Sequence, residues 1–228
     1  MSVSRRRFLV GAGQLALIAA VAGPLLRLAG IDGALVTPAA AQTVDAAKLF
    51  APAATPLTEE SLGAKDAPVT IVEYASLTCS HCAAFHTQTF PTLKSKYIDT
   101  GKVRFVLREF PFDPVATAGF MLARCLPADK YFPMVSSLFE TQRSWAFGNN
   151  PAQGLLTVAK QAGMSEADFE KCLSDKDLAE KVQASAQYAN KELGVDSTPT
   201  FFINGKKIAG AISVADLDKE LAPLLQGK

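Results

Sequence analysis

Cys79-Ser80-His81-Cys82 places two thiols two residues apart, directly after the apolar run Val69 to Ala75 and at the expected start of a helix. Thiols at that spacing can close a small disulfide ring. At a helix start the unpaired N–H groups and the positive end of the helix dipole favour negative charge, so Cys79 should ionise more readily than a free cysteine, whose pKa is about 8.5. An ionised thiol is both nucleophile and leaving group, which is the chemistry of thiol–disulfide exchange. Three other uses of a C-x-x-C pair fit less well. Haem attachment needs His directly after the second cysteine, where this chain has Ala83. Zinc or copper could take Cys79, Cys82 and His86, but the ligand set is incomplete: His81 and His86 are the only histidines and there is no second C-x-x-C. A purely structural bridge is disfavoured because so short a ring constrains little chain. Exchange leads, and a metal-binding protein is the alternative from another class.

The elements that must hold this pair read as alternating strand and helix. Val69 to Tyr74 is β-branched and aromatic, as a buried strand should be, and Cys79 to Tyr97 follows as a helix that Pro91 should kink near Phe90. Val103 to Leu107 reads as the next strand, completing a right-handed βαβ unit that sets Cys79 at the carboxyl end of its first strand, where open α/β sheets hold their chemistry. From about 113 to 193 the strand signal gives way to helical spacing, over Pro114 to Leu126, Tyr131 to Gln142, Pro151 to Ala162, Ser165 to Leu173 and Lys176 to Leu193, with Ser165 and Asp168 as a capping box. Strand character resumes at Thr200 to Ile203, Asn204-Gly205 marks a hairpin turn to Lys207 to Ala209, and Ser213 to Leu225 closes with a helix. The fold class is therefore α/β with an inserted all-helical subdomain.

The amino-terminal end carries an address. Arg5-Arg6-Arg7-Phe8-Leu9 leads into an apolar stretch to Leu26, and Ala39-Ala40-Ala41 supplies the small residues a signal peptidase prefers. The consecutive arginines resemble a twin-arginine export signal. Residues 1–41 are thus expected to be a cleaved export signal, with an uncleaved inner-membrane anchor as the alternative, since Phe8 to Leu26 comes close to the roughly 20 residues a bilayer crossing needs. The periplasm is the expected destination. Residues 42–65, rich in Ala, Pro and Thr, read as a flexible arm with a short ordered piece near Leu57 to Leu62, and residues 66–228 as the catalytic domain. Lys and Arg number 23 against 22 Asp and Glu, a balance that gives no reason to expect nucleic acid.

The run IVEYASLTCSHC, the helical insertion, and Ser197-Thr198-Pro199-Thr200 leading into FFING resemble the DsbA-like thiol-disulfide oxidoreductases of the thioredoxin superfamily. The resemblance implies Cys79 as nucleophile, Cys82 as resolving thiol and His81 as a stabiliser of the Cys79 thiolate. It implies a cis bond at Pro199 that turns the Thr198 backbone toward the disulfide, where it can bind a substrate strand. Glu73, an acid inside an apolar strand, should be partly buried, and the family has an acid at the matching position that assists proton movement at the resolving thiol; a solvent-facing strand residue is the other reading. His86 reads as a surface or packing residue. No cofactor is implied. Exported proteins are the implied substrates, and a quinone-linked membrane protein the implied reoxidant. Serine before His81 and threonine before Pro199 depart from the best-known oxidases, so an isomerase or reductase stands as the second reading. Cys125 and Cys172 are implied to form a second disulfide by some relatives, with two separately buried thiols as the alternative. Trp145 and Phe147 read as packing residues.

Overall fold

The computed structural model of the chain describes residues 43–226 apart from 52, 54 and 55, so the expected export signal over 1–41 lies outside the described residues. Five strands form one sheet: β1 (Glu60–Leu62), β2 (Val69–Ala75), β3 (Val103–Glu109), β4 (Thr200–Ile203) and β5 (Lys206–Ala209), in the order β1-β3-β2-β4-β5. β2 and β3 run parallel in the register Val69↔Val103 to Ala75↔Glu109, as a βαβ unit requires, while β4 lies antiparallel to β2. The hairpin from β4 to β5 turns on Asn204 and Gly205, both at positive φ. Glycine is required at 205, because a Cβ there would lie 2.4 Å from the Val44 carbonyl oxygen.

Strand parity decides what each face of the sheet buries. Ile71, Phe105, Leu107, Phe201 and Ile203 point into the larger core, shared with the helix that carries the cysteines, the helical insertion and the carboxyl-terminal helix Val214–Leu225. Val72, Tyr74, Val106 and Phe202 point the other way, into a smaller core closed by Ala186, Ala189 and Leu193 of the long helix Lys176–Leu193. β2 is covered on both faces, which is why its sequence reads as a continuous apolar run.

The helix after β2 spans residues 80–98 and runs through Pro91, as expected. It alternates α-helical turns at Ser80–Ala84 and Phe90–Leu93 with wider π turns at Phe85–Thr89 and Lys94–Ile98. Proline lacks an N–H and its ring collides with the carbonyl one turn back in a regular α-helix. The π turn, closed by the Phe90 N–H on the Phe85 carbonyl, widens the helix in the turn before Pro91.

The insertion consists of Pro114–Cys125, Tyr131–Glu140, a short turn at Gln142–Trp145, Pro151–Gln161, Glu166–Leu173 and Lys176–Leu193. Asp113, Asn150, Ser165 and Asp175 each cap the helix that follows them by accepting a backbone N–H. Cys125 and Cys172 are joined in a disulfide between two of these helices, with Cα atoms 6.1 Å apart. Closing that 47-residue loop contributes about 4 kcal/mol in the chain-entropy picture. Trp145 is fully buried and donates its indole N–H to the Leu138 carbonyl, whereas Phe147, expected to pack, stands exposed.

The stretch expected as a flexible arm is instead built into the molecule. Val44 donates its N–H to Gly205, Leu49 is buried, and Arg108 and Tyr188 hold the carbonyls of Leu49 and Lys48. β1 pairs antiparallel with β3, so the sheet begins before residue 66 and the expected boundary there cuts through it. Glu59 pairs with Arg104 and Arg108, and Glu60 with Arg124. This three-residue edge strand falls in the short ordered piece expected near Leu57 to Leu62.

Candidate active site

The β2 strand ends at Ala75, and a tight link from Ser76 to Thr78 delivers Cys79 to the position just before the first helical turn, with φ −81° and ψ 120°. Three residues that sequence reasoning did not single out fix this link. Gln142, buried in the insertion, donates from its Nε2 to the carbonyls of Leu77 (2.8 Å) and Cys79 (2.9 Å). The Thr78 hydroxyl donates to Asp113 Oδ2 at 2.5 Å and contacts the Ser76 hydroxyl. Asp113 was legible as a helix cap before Pro114; nothing in the spacing of Gln142 points across 63 residues to Cys79.

The two thiols differ in surroundings. Cys79 is partly exposed and Cys82 is fully buried, and both are free. The Cys79 pKa is lowered to about 5: the hydrogen bond from the Cys82 thiol contributes most, burial opposes it, and the Thr198 side chain and the backbone N–H groups of Cys82 and His81 add to it. The Cys82 thiol is pushed well up, by burial first, then by its hydrogen bond to Cys79 and by the charge of Glu73. One sulfur is thus stabilised as an anion at the expense of the other's acidity. His81 is exposed, and its backbone N–H is among the groups that lower the Cys79 pKa.

Across from the cysteines lies the Thr198-Pro199 peptide, which is cis. The Cys79 thiol donates to the Thr198 carbonyl oxygen at 3.3 Å. The buried Thr198 hydroxyl has no fixed partner in that arrangement, and a hydroxyl proton is free to turn toward the sulfur once the sulfur is an anion. The Gly210 N–H, donating to the Pro199 carbonyl at 2.8 Å, and the Thr200 hydroxyl, donating to the Ser197 carbonyl at 2.7 Å, hold this loop in place.

Glu73 is fully buried, on the same face of β2 as Ile71, and its Oε2 lies 2.8 Å from His86 Nε2. His86 is buried as well, stacked on Phe139 with centroids 4.2 Å apart and edged by Phe85 and Phe90. It is therefore a packing residue with a charged partner, and that partnership was not foreseen. Among the described residues no group of three or more His, Cys, Asp or Glu side chains is placed to hold a metal ion, and His86 is turned to Glu73 rather than grouped with the two thiols.

The chain is similar to known proteins. The chain is 36% identical over 145 residues to a Rickettsia bellii protein described as a protein-disulfide oxidoreductase, a match covering 63% of this chain and 56% of that one. It is 31% identical over 155 residues to the Bacillus cereus disulfide bond formation protein D, covering 65% of this chain and 71% of the other. The chain spans little more than half the length of the rickettsial relative it matches. In three dimensions it resembles the crystal structure of Wolbachia pipientis alpha-DsbA1 with a TM-score of 0.70 and 32% identity, over 76% of this chain and 94% of that one. The profile of the thioredoxin family matches residues 55–222, which takes in the sheet from β1 to β5, both site cysteines and the whole insertion. A thioredoxin sheet, an all-helical insertion and a thiol pair facing a cis-proline loop make the chain a DsbA-like member of the thioredoxin family.

Proposed function

We propose that the chain is a dithiol oxidase that introduces disulfide bonds into exported proteins. Cys79 is the nucleophile and leaving group, Cys82 the resolving thiol, and Glu73 the acid that handles the proton of Cys82. Thr198 and Pro199 form the ledge on which an extended substrate segment lies against the disulfide. The reading is carried by one observation, the opposed acidities of the two sulfurs: Cys79 at about 5, Cys82 pushed up by burial. A thiolate stabilised in the reduced protein makes the disulfide the stronger oxidant, so electrons flow from the substrate to the pair. Names of the relatives, a protein-disulfide oxidoreductase and a disulfide bond formation protein, support the same direction.

The arginine-rich leader supports export to the periplasm, and among the described residues no helix is long and apolar enough to cross a membrane. A pair reduced by each turnover needs reoxidation, for which a quinone-linked membrane protein is the proposed partner. The purified chain should oxidise a reduced dithiol peptide stoichiometrically, and Cys79→Ala should abolish that while leaving the fold intact. The reduction potential separates oxidase from isomerase or reductase: about −120 mV marks a strong oxidant and about −270 mV a reductant. A value at the reducing end would overturn the oxidase reading.

A further inference from the structure

Two buried polar side chains meet in the apolar layer between β2 and the cysteine helix, and neither is explained by packing. The Glu73 and His86 side chains are 0% and 3% exposed and lie 2.8 Å apart. Each keeps one atom, Glu73 Oε1 and His86 Nδ1, buried and without a hydrogen-bond partner. Burying a polar group unsatisfied forfeits its hydration with nothing in return, so a protein that keeps two of them in its core needs a use for them. Apolar rings from every side close the pair in: Phe85 and Phe90 from the helix, Phe105 from β3 and Phe139 from the insertion. The other buried acid on this side of the sheet, Glu109, is occupied by Arg124 at 2.6 Å and Tyr131 at 2.8 Å. What remains to feel the pair is Cys82, whose acidity the Glu73 charge affects directly.

We propose that His86 is a positioning residue for exchange, holding Glu73 as the buried proton station that serves Cys82. The proposal rests on the oxidase reading above and deepens it. In that reaction a substrate thiolate attacks Cys79 Sγ, the Cys79–Cys82 bond breaks, and Cys82 leaves with the electron pair. A second substrate thiolate then attacks the substrate sulfur bound to Cys79; the substrate disulfide forms and Cys79 leaves as a thiolate. The substrate loses two electrons and the cysteine pair gains them. The Cys82 sulfur, sealed from solvent, cannot stay an anion there and must take up one proton; in the reverse direction, when Cys82 attacks a mixed disulfide, it must give one up. Glu73 is the acid available, and a carboxylate buried in this apolar layer without a partner would carry the full cost of desolvation. The imidazole at Oε2 offsets that cost and leaves Oε1 uncommitted.

The geometry has a local cause. His86 lies in the wide turn Phe85–Thr89, whose extra residue per turn rotates the side chains that follow the cysteines relative to a regular helix. That widening sets the His86 ring over Phe139 and against Glu73.

The test follows the release of glutathione from a mixed disulfide on Cys79 of the full chain between pH 5 and 9, the rate of which reports Cys82 attack. His86→Gln keeps an amide hydrogen bond to Glu73 but removes the imidazole. It should move the rise of the rate to higher pH by about one unit, a roughly tenfold loss on the acid side that is regained on the basic side. Glu73→Gln should remove that rise, and the double variant should match Glu73→Gln alone. A His86→Gln profile superimposable on the wild type, or a double variant slower than Glu73→Gln by the full single-variant factor, overturns the proposal. Should the wild type resolve no mixed disulfide at any pH, the oxidase reading fails instead. The pair is then read from the Cys82 Cβ resonance of the reduced protein: Glu73→Gln, which removes the nearby negative charge, should lower its titration midpoint, whereas His86→Gln, which removes the imidazole that offsets that charge, should raise it, and an unchanged or lowered midpoint in His86→Gln rejects the role of His86.

Discussion

At the scale of single residues, function reduces to how unequally one helix start treats two thiols. Cys79 collects the first N–H groups of the helix and the Cys82 hydrogen bond, while Cys82, three residues on, is turned into the core. The Cys79 thiolate absorbance in the far ultraviolet should therefore fall away with a midpoint about pH 5 as the reduced protein is acidified. The stability consequence has a definite sign. A thiol whose folded pKa lies below its unfolded one adds stability that is full above the unfolded value, about 8.5, and is lost as pH falls through the folded value. Reduced protein should thus become more stable relative to the disulfide form from about pH 5 upward, and lose that advantage below it, which denaturant melts of both forms across the range would measure. Equal stability differences at pH 4 and pH 8 would contradict the anionic Cys79. The C-x-x-C pair and its place at a helix start were legible in sequence, because local spacing and dipole act within one turn. The His86 partnership was not, because it depends on which residues of a widened helix meet β2.

Among the elements, the insertion does more than cover the sheet. Its short turn at Gln142–Trp145 reaches back to hold the carbonyls of Leu77 and Cys79, and its first helix is capped by the same Asp113 that anchors Thr78. Gln142→Ala would strand a buried carbonyl and should cost about 1–3 kcal/mol, seen as a lower Tm, together with faster but less selective alkylation of Cys79 as the link loosens. Helix lengths and order in the insertion were readable from apolar periodicity and caps, since both are local. The helix through Pro91 was readable as well, but its π turns were not, because a π turn has no sequence period of its own.

For the whole molecule, the question is what holds a small sheet and a large insertion together. The Cys125–Cys172 bridge ties the first helix of the insertion to Glu166–Leu173, and replacing both cysteines with alanine should cost about 2–4 kcal/mol in thermal or denaturant melts while leaving Cys79 titration unchanged. If the Cys79 midpoint moved as well, the insertion and the site would be coupled more tightly than their separate contacts indicate. What the sequence determined alone was whatever depends on near neighbours: a thiol pair at a strand-to-helix junction, the helical run from 113 to 193 and the hairpin at Asn204-Gly205. Tertiary structure alone decided what depends on distant groups meeting. Residues 43–51 are held against the domain because Arg108, Tyr188 and Gly205 wait for their backbone, and β1 joins the sheet because Arg104, Arg108 and Arg124 fix the acids around it. Gln142 clamps Cys79 and His86 faces Glu73 for the same reason: a hydrogen bond between residues far apart in sequence leaves no periodic trace, and its partner is chosen only when the core closes.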